Sequence, residues 1–159
     1  MKIRVGFGYD MHRLADGRDL WMGGIKIDYH KGLQGHSDAD VLIHAICDAL
    51  LGAANLRDIG WHFPDTADEN LNIDSKIILT KTVALLREKG FEIGNIDCTI
   101  CAEAPKMNPQ VPAMQLKLAD IMDIDTDDIS IKATTSEKMG FVGRQEGITA
   151  YAVALIHKS

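Results

Sequence analysis

The chain has 159 residues, of which 46% are hydrophobic and 25% charged, with a formal net charge of -6 at pH 7. That length supports one domain with a sizeable core, and the composition excludes a disordered or fibrous protein. The acidic balance excludes a general affinity for nucleic acid, which needs a basic face, so any anionic ligand must be met locally by metal ions or by a few placed lysines and arginines.

Met1-Lys2-Ile3-Arg4 lacks the apolar stretch of a signal peptide, and the apolar run at residues 152–156 is too short to span a bilayer. A cytoplasmic protein with no membrane partner is expected. Cys47, Cys98 and Cys101 are an odd set with no disulfide framework, as in a reducing compartment. Cys98 and Cys101 match CxxC but fall in a β-branched run that places them on opposite faces, so core thiols are expected rather than a redox pair.

In chain order, residues 2–9 read as a strand, and Leu20-Trp21-Met22 and Ile25-Lys26-Ile27 as a hairpin joined by Gly23-Gly24. Ser37 can cap a helix over residues 38–54. Residues 57–74 are polar and aperiodic, a long loop of the kind that carries function. A second amphipathic helix spans 75–89 and is closed by Gly90, and a strand follows at 93–104. After an irregular segment at 104–109 come a helix at 111–122, a strand at 129–133, a loop at 134–147 and a last strand at 148–157. The sum is one α+β domain over residues 1–159, a mixed β-sheet with helices packed on one face.

Asp10-Met11-His12, where the first β-patterned run breaks off, is the most informative stretch. Residues two apart on a strand point to the same side, so the Asp10 carboxylate and the His12 imidazole converge. His44, on the helix that can face them, would make a third ligand. One oxygen and two nitrogens suit zinc and leave a fourth position open for substrate or water. An Asp-x-His pair alone is a weak signal, because most such pairs are a turn carboxylate beside a surface or capped histidine. Asp40, His44 and Asp48 are spaced by four and share a stripe. A solvated surface explains Asp40 and Asp48 somewhat better than a role does; if His44 binds metal, Asp48 could orient it.

His36-Ser37 precedes the helix, where orphan N–H groups and the dipole favour an anion such as phosphate. Ser37 serves equally as a plain N-cap and His36 as an exposed loop histidine. The segment from Thr134 to Arg144 gathers hydroxyls, a carboxylate, two cations and two glycines. Glu137 offers hard oxygen for Mg2+ or Mn2+, while Lys138 and Arg144 can neutralise phosphate. A solvated turn is the plain alternative for Glu137 and Lys138. Gly6-x-Gly8 lacks the third glycine at position 11, which is Met11, and no Walker sequence is present.

Taken together, Gly8-Tyr9-Asp10-Met11-His12, His36-Ser37-Asp38-Ala39-Asp40-Val41, Asp48-Ala49-Leu50-Leu51-Gly52-Ala53, Asp58-Ile59-Gly60, Phe63-Pro64-Asp65-Thr66, Ala104-Pro105-Lys106-Met107, Lys132-Ala133-Thr134-Thr135 and Gly143-Arg144 resemble the 2-C-methyl-D-erythritol 2,4-cyclodiphosphate synthase family over nearly the whole chain. The resemblance implies a homotrimer of ferredoxin-like or chorismate-mutase-like architecture, with active sites between subunits and a role in non-mevalonate isoprenoid biosynthesis. It implies a phosphorus-oxygen lyase in which the 2-phosphate of a cytidine diphosphate derivative of methylerythritol attacks the β-phosphorus and CMP leaves.

By the same resemblance Asp10, His12 and His44 hold Zn2+, and Glu137 together with substrate phosphates holds Mg2+ or Mn2+. His36 and Thr135 stabilise the transition state. Ser37, Asp58, Ile59, Gly60, Phe63, Pro64, Asp65, Thr66 and Ala67 line the methylerythritol phosphate end. Ala102, Glu103, Ala104, Pro105, Lys106, Met107 and Asn108, with Thr134, Thr135, Ser136 and Glu137, enclose the cytidine diphosphate end, while Phe141 and Arg144 lie near the phosphate and the trimer axis. Asn108 replaces a commonly apolar residue, and Tyr9 and Tyr151 stand where some relatives have phenylalanine and glutamate, so the resemblance is not extended to an isoprenoid diphosphate on the axis.

Two rival readings of the residues remain. A zinc phosphohydrolase lacks a further carboxylate or histidine cluster for a second tight metal. A noncatalytic trimeric module with structural zinc calls for four protein ligands where three are found.

Overall fold

The computed structural model describes residues 1–159. Its main sheet has five strands in the order β4-β1-β7-β5-β6, where β1 is Lys2–Asp16, β4 Lys31–Gln34, β5 Glu92–Cys101, β6 Ile129–Thr134 and β7 Gly147–Lys158. The β5–β6 pair is parallel and the other pairs are antiparallel, as the mixed sheet requires. The hairpin is present as β2 (Leu20–Met22) and β3 (Ile25–Ile27), a separate two-stranded ribbon.

Three helices cover one face: α1 (Val41–Ala53), which packs on β1 and β7; α3 (Ser75–Glu88), which packs on α1; and α4 (Val111–Met122), which packs on α3 and β6. A short helix, α2 (Ile59–His62), interrupts the loop expected at 57–74, and another, α5 (Gly140–Gly143), interrupts the loop at 134–147. The α-helical layer and the sheet enclose a core that includes Leu42, Ile46, Leu50, Ile96, Ile148 and Ile156.

The close contact between α1 and β1 depends on two glycines. A Cβ on Gly6 would lie 1.9 Å from the Ala49 carbonyl oxygen, and one on Gly8 would lie 1.8 Å from that of Ala45. Only a residue without a side chain lets the helix backbone rest on the strand at this distance. The opposite face of β1 carries Ile3, Val5, Phe7, Tyr9 and Met11, all exposed, next to Tyr151 and Val153 of β7.

Two boundaries differ from the sequence reading in ways that matter for the site. β1 does not stop at residue 9: Asp10 pairs with Ala150 and His12 with Ile148, after which Arg13 pairs with Gln34. Long-range pairing, invisible in the local pattern, carries the strand through its polar residues. Helix α1 starts at Val41 and is capped by Asp40, whose Oδ1 accepts from the Ile43 N–H at 3.1 Å. Asp40 is fully buried and also accepts from the Gly23 and Gly24 N–H groups at 2.9 and 2.8 Å. It is therefore neither a solvated stripe residue nor a site residue: it ties the glycine turn of the hairpin to the helix start. All three cysteines are free; Cys47 and Cys98 are buried, and burial holds the Cys98 thiol up at about 12. No helix is long and apolar enough to cross a membrane.

Candidate active site

Strand parity and helix placement bring Asp10, His12 and His44 together. One ligand atom from each lies within 4.8 Å of the other two. Asp10 Oδ2 is 2.9 Å from His12 Nε2 and 3.1 Å from His44 Nδ1. The two ring nitrogens are 3.4 Å apart. The rings meet edge to face, with centroids 5.5 Å apart.

The far nitrogen of each ring is held. His12 Nδ1 donates to the Gln34 carbonyl at 3.0 Å, which leaves Nε2 as the nitrogen turned toward Asp10 and His44. His44 Nε2 lies 2.9 Å from Ser75 Oγ and 3.2 Å from Ser37 Oγ, both on buried residues. Ser75 Oγ is in turn hydrogen-bonded to Asp38 Oδ1, and the Ser75 N–H donates to Asp38 Oδ2 at 2.9 Å. Two inward-facing imidazoles and one carboxylate are a donor set that fits a borderline divalent cation with an open fourth position.

The electrostatics agree with the geometry. Burial would raise the Asp10 carboxyl, but the hydrogen bonds and positive charge of His12 and His44 hold it down at about 2. Burial opposes the charged form of His12, yet the hydrogen bond and charge of Asp10 raise its pKa above the ordinary imidazole value. The cluster thus concentrates an anionic carboxylate among nitrogens that a cation can take over.

This cluster sits in a cavity of about 550 Å³ that is also lined by His36, Ser37, Asp58, Ile59, Gly60, Phe63, Pro64, Asp65 and Thr66. Every residue predicted for the methylerythritol phosphate end lines it except Ala67. Asp48, singled out beside His44, lines it as well, and so do Asn70, Ile73 and Ile78, which were not foreseen. His36 Nε2 is buried and has no hydrogen-bond partner, an unused polar group beside the cavity. Asp48 does not orient His44 through a hydrogen bond, as the helical spacing suggested. Its Oδ1 accepts from the Ile59 N–H at 2.8 Å, fixing the start of α2, and burial, reinforced by the charges of Asp58 and Asp10, raises its pKa against that hydrogen bond.

A separate cavity of about 330 Å³ is lined by Ala102, Glu103, Pro105, Lys106, Met107, Asn108, Ala133, Thr134 and Thr135. It shares no lining residue with the first. Glu103 also anchors the next segment: its carboxylate accepts from the Lys138 N–H at 2.7 Å and the Ser136 N–H at 3.4 Å. Between them Glu137 is exposed, in the left-handed region at φ 56°, and its N–H donates to Thr135 Oγ1 at 3.2 Å. Glu137 and Thr135 belong to a third hollow with Glu103 and Lys138. Phe141 and Arg144 line none of these three; Phe141 packs near Gly147, and Arg144 pairs with Glu146 at 3.1 Å.

An α+β fold with a mixed sheet and an Asp-His-His cluster that could hold a metal ion, lining a cavity, defines the class. Residues 3–157 match the model of the YgbB family, and the chain belongs to that family. It is 67% identical over 158 residues to a Bacteroides fragilis protein named 2-C-methyl-D-erythritol 2,4-cyclodiphosphate synthase, covering 99% of both chains. It is 68% identical over 158 residues to the Parabacteroides distasonis protein of the same name, covering 99% of this chain and 98% of that one. Among solved structures, it superposes on the bifunctional IspDF of Campylobacter jejuni with a TM-score of 0.96 at 40% identity, covering 99% of this chain and 43% of that longer one. The IspF of Plasmodium falciparum in complex with CDP gives a TM-score of 0.87 at 32% identity over 99% of this chain and 97% of that one. The family resemblance read from the motifs therefore holds.

Proposed function

We propose that residues 1–159 form one catalytic domain that converts 4-diphosphocytidyl-2-C-methyl-D-erythritol 2-phosphate into 2-C-methyl-D-erythritol 2,4-cyclodiphosphate and CMP. The observation that carries this reading is the convergence of Asp10, His12 and His44 on one point in the cavity of about 550 Å³. The reaction needs no protein nucleophile, because the attacking 2-phosphate belongs to the substrate; what it needs is alignment and neutralisation of charge.

Asp10, His12 and His44 would hold Zn2+, and Glu137 with the substrate phosphates would hold Mg2+ or Mn2+. When bound, these cations withdraw charge from the diphosphate and make its β-phosphorus easier to attack. The chain's own residues do the rest. His36, with its partnerless Nε2, and Ser37 donate to phosphoryl oxygens as charge builds on them. Asp58, Ile59 and Gly60, with Phe63, Pro64, Asp65, Thr66 and Ala67, enclose the methylerythritol phosphate. Ala102, Glu103, Ala104, Pro105, Lys106, Met107 and Asn108 and the segment Thr134, Thr135, Ser136 and Glu137 take the cytidine diphosphate, with the Thr135 hydroxyl beside the phosphates. Phe141 and Arg144 contribute near the phosphate and the symmetry axis.

The protein works as a homotrimer with ferredoxin-like or chorismate-mutase-like packing and active sites between subunits. Two features support this. The methylerythritol and nucleotide cavities share no residue within one chain, so one substrate is best enclosed by the first cavity of one subunit and the second of its neighbour. The outer face of β1 presents an unbroken row of exposed apolar side chains that a second copy would cover. Phosphorus NMR of the purified protein with the CDP-methylerythritol phosphate should show cyclodiphosphate and CMP, only when divalent metal is supplied. Appearance of inorganic phosphate instead would overturn the assignment in favour of hydrolysis.

A further inference from the structure

We infer that Ser75 and Asp38 are positioning residues for the metal centre, a hydroxyl-carboxylate relay that takes the outer proton of His44 and thereby leaves the Ser37 hydroxyl free to face the cavity. The inference rests on the reading that Asp10, His12 and His44 hold a divalent ion.

Proton accounting fixes the direction of the relay. Asp38, as a carboxylate, can only accept, so in the Ser75–Asp38 hydrogen bond the hydroxyl proton belongs to Ser75 and points at Asp38 Oδ1. Ser75 Oγ, 2.9 Å from His44 Nε2, has only lone pairs left to offer the ring. Nε2 must therefore carry a proton, so it is Nδ1, facing Asp10 and His12, that gives up its proton and offers a lone pair when a cation binds. Ser75 cannot turn away: it is fully buried, and its own N–H is tied to Asp38 Oδ2 at 2.9 Å.

The consequence for Ser37 follows from the same accounting. Its Oγ lies 3.2 Å from a nitrogen that already carries a proton directed to the nearer Ser75, and it accepts from the Ala39 N–H at 3.1 Å. The Ser37 hydroxyl proton then has no acceptor on His44, and Ser37 lines the same cavity as the metal candidate, where an anionic oxygen can receive it. Asp38 and Ser75 line no part of that cavity, so they act through His44 and do not touch the substrate.

The test uses the full-length protein and zinc alone. Zinc affinity, measured by competition with a chromogenic chelator, should fall about 10- to 100-fold in Ser75→Ala, the usual effect of losing an outer partner of a ligating histidine. Asp38→Asn in the Ser75→Ala background should add little further loss, because Asp38 works through Ser75. Ser37→Ala should keep wild-type zinc affinity within about twofold, since its hydroxyl is not engaged with Nε2. A Ser75→Ala protein that binds zinc like wild type, or full additivity of the two substitutions, would overturn the relay. If the variants do not fold, the zinc-loaded wild-type protein decides: an exchange-protected His44 Nε2–H in its nitrogen-proton spectrum supports the relay, and a rapidly exchanging one contradicts it. Failure of the wild-type protein itself to bind zinc would instead strike the parent reading.

Discussion

The metal cluster and the Glu137 segment are built by opposite means. Asp10 and His12 stand on the longest strand of the sheet and His44 on the most buried helix, so packing of the core sets their positions. Glu137 is exposed on a short loop, flanked by a second left-handed residue, Lys138 at φ 61°, and held mainly by hydrogen bonds to one side chain, Glu103. The contrast separates three donors whose positions the folded core sets from a carboxylate that, on the proposed function, would share its cation with substrate phosphates. Backbone held left-handed without glycine is tolerated where a surrounding network over-determines it.

The largest expected effect comes from disturbing the packing that sets the first site. Gly8→Ala would drive a methyl group into the Ala45 carbonyl, and α1 would have to lift from β1. Chemical denaturation should show a loss of about 3 kcal/mol or more, and any folded protein should have lost its zinc with it. Next, His44→Ala should reduce zinc content and turnover together to background while the Mg2+ or Mn2+ response disappears with activity, because two ligands make a poor shell. Retained zinc by elemental analysis would break the comparison at its stronger end.

A smaller and more selective effect is expected of Glu103→Ala. Releasing the N–H groups of Ser136 and Lys138 should raise the Mg2+ or Mn2+ concentration needed for half-maximal turnover and cost roughly 1 kcal/mol of stability, with zinc content unchanged. A drop in zinc would show that the two halves are not independent.

The smallest effect concerns Asp48, which ties α2 to α1. Its carboxyl is raised by burial, so the folded protein holds that proton more tightly than the unfolded chain. The associated stability is present below the unfolded carboxyl value and is lost as pH rises through the raised folded value. Asp48→Asn keeps an oxygen for the Ile59 N–H and removes the buried charge. Thermal melts of the metal-free protein should therefore place it at or slightly above wild type near neutral pH, with the gap closing in acid. A melting point well below wild type at neutral pH would show that the charge itself is needed.

The sequence was most legible where periodicity rules. The parity of Asp10 and His12, the helix bearing His44 and the separation of Cys98 from Cys101 all follow from spacing alone. The strand continuing past Tyr9 was not legible, because Asp10 and His12 interrupt the apolar pattern and only pairing with β7 keeps them extended. The cap of α1 was misplaced by three residues because Ser37, Asp38 and Asp40 are all good caps, and which one serves depends on the glycine turn that Asp40 also binds. Ser75 and Asp38 meet across 37 positions of chain, so local spacing could not link them to His44. Asp48 has the right helical offset from His44, but a nearer backbone donor claims its carboxylate.

One property of β1 reaches further than its place in the sheet. Its even-numbered residues supply Gly6, Gly8, Asp10 and His12 to the helix side, and its odd-numbered residues supply Ile3, Val5, Phe7, Tyr9 and Met11 to the other. Deleting or inserting a single amino acid before Asp10 would exchange the two faces at a stroke, turning greasy side chains toward α1 and the ligands outward. The donor cluster and the exposed apolar row are thus written in alternate letters of one word, so this stretch can drift by substitution but not by change of length.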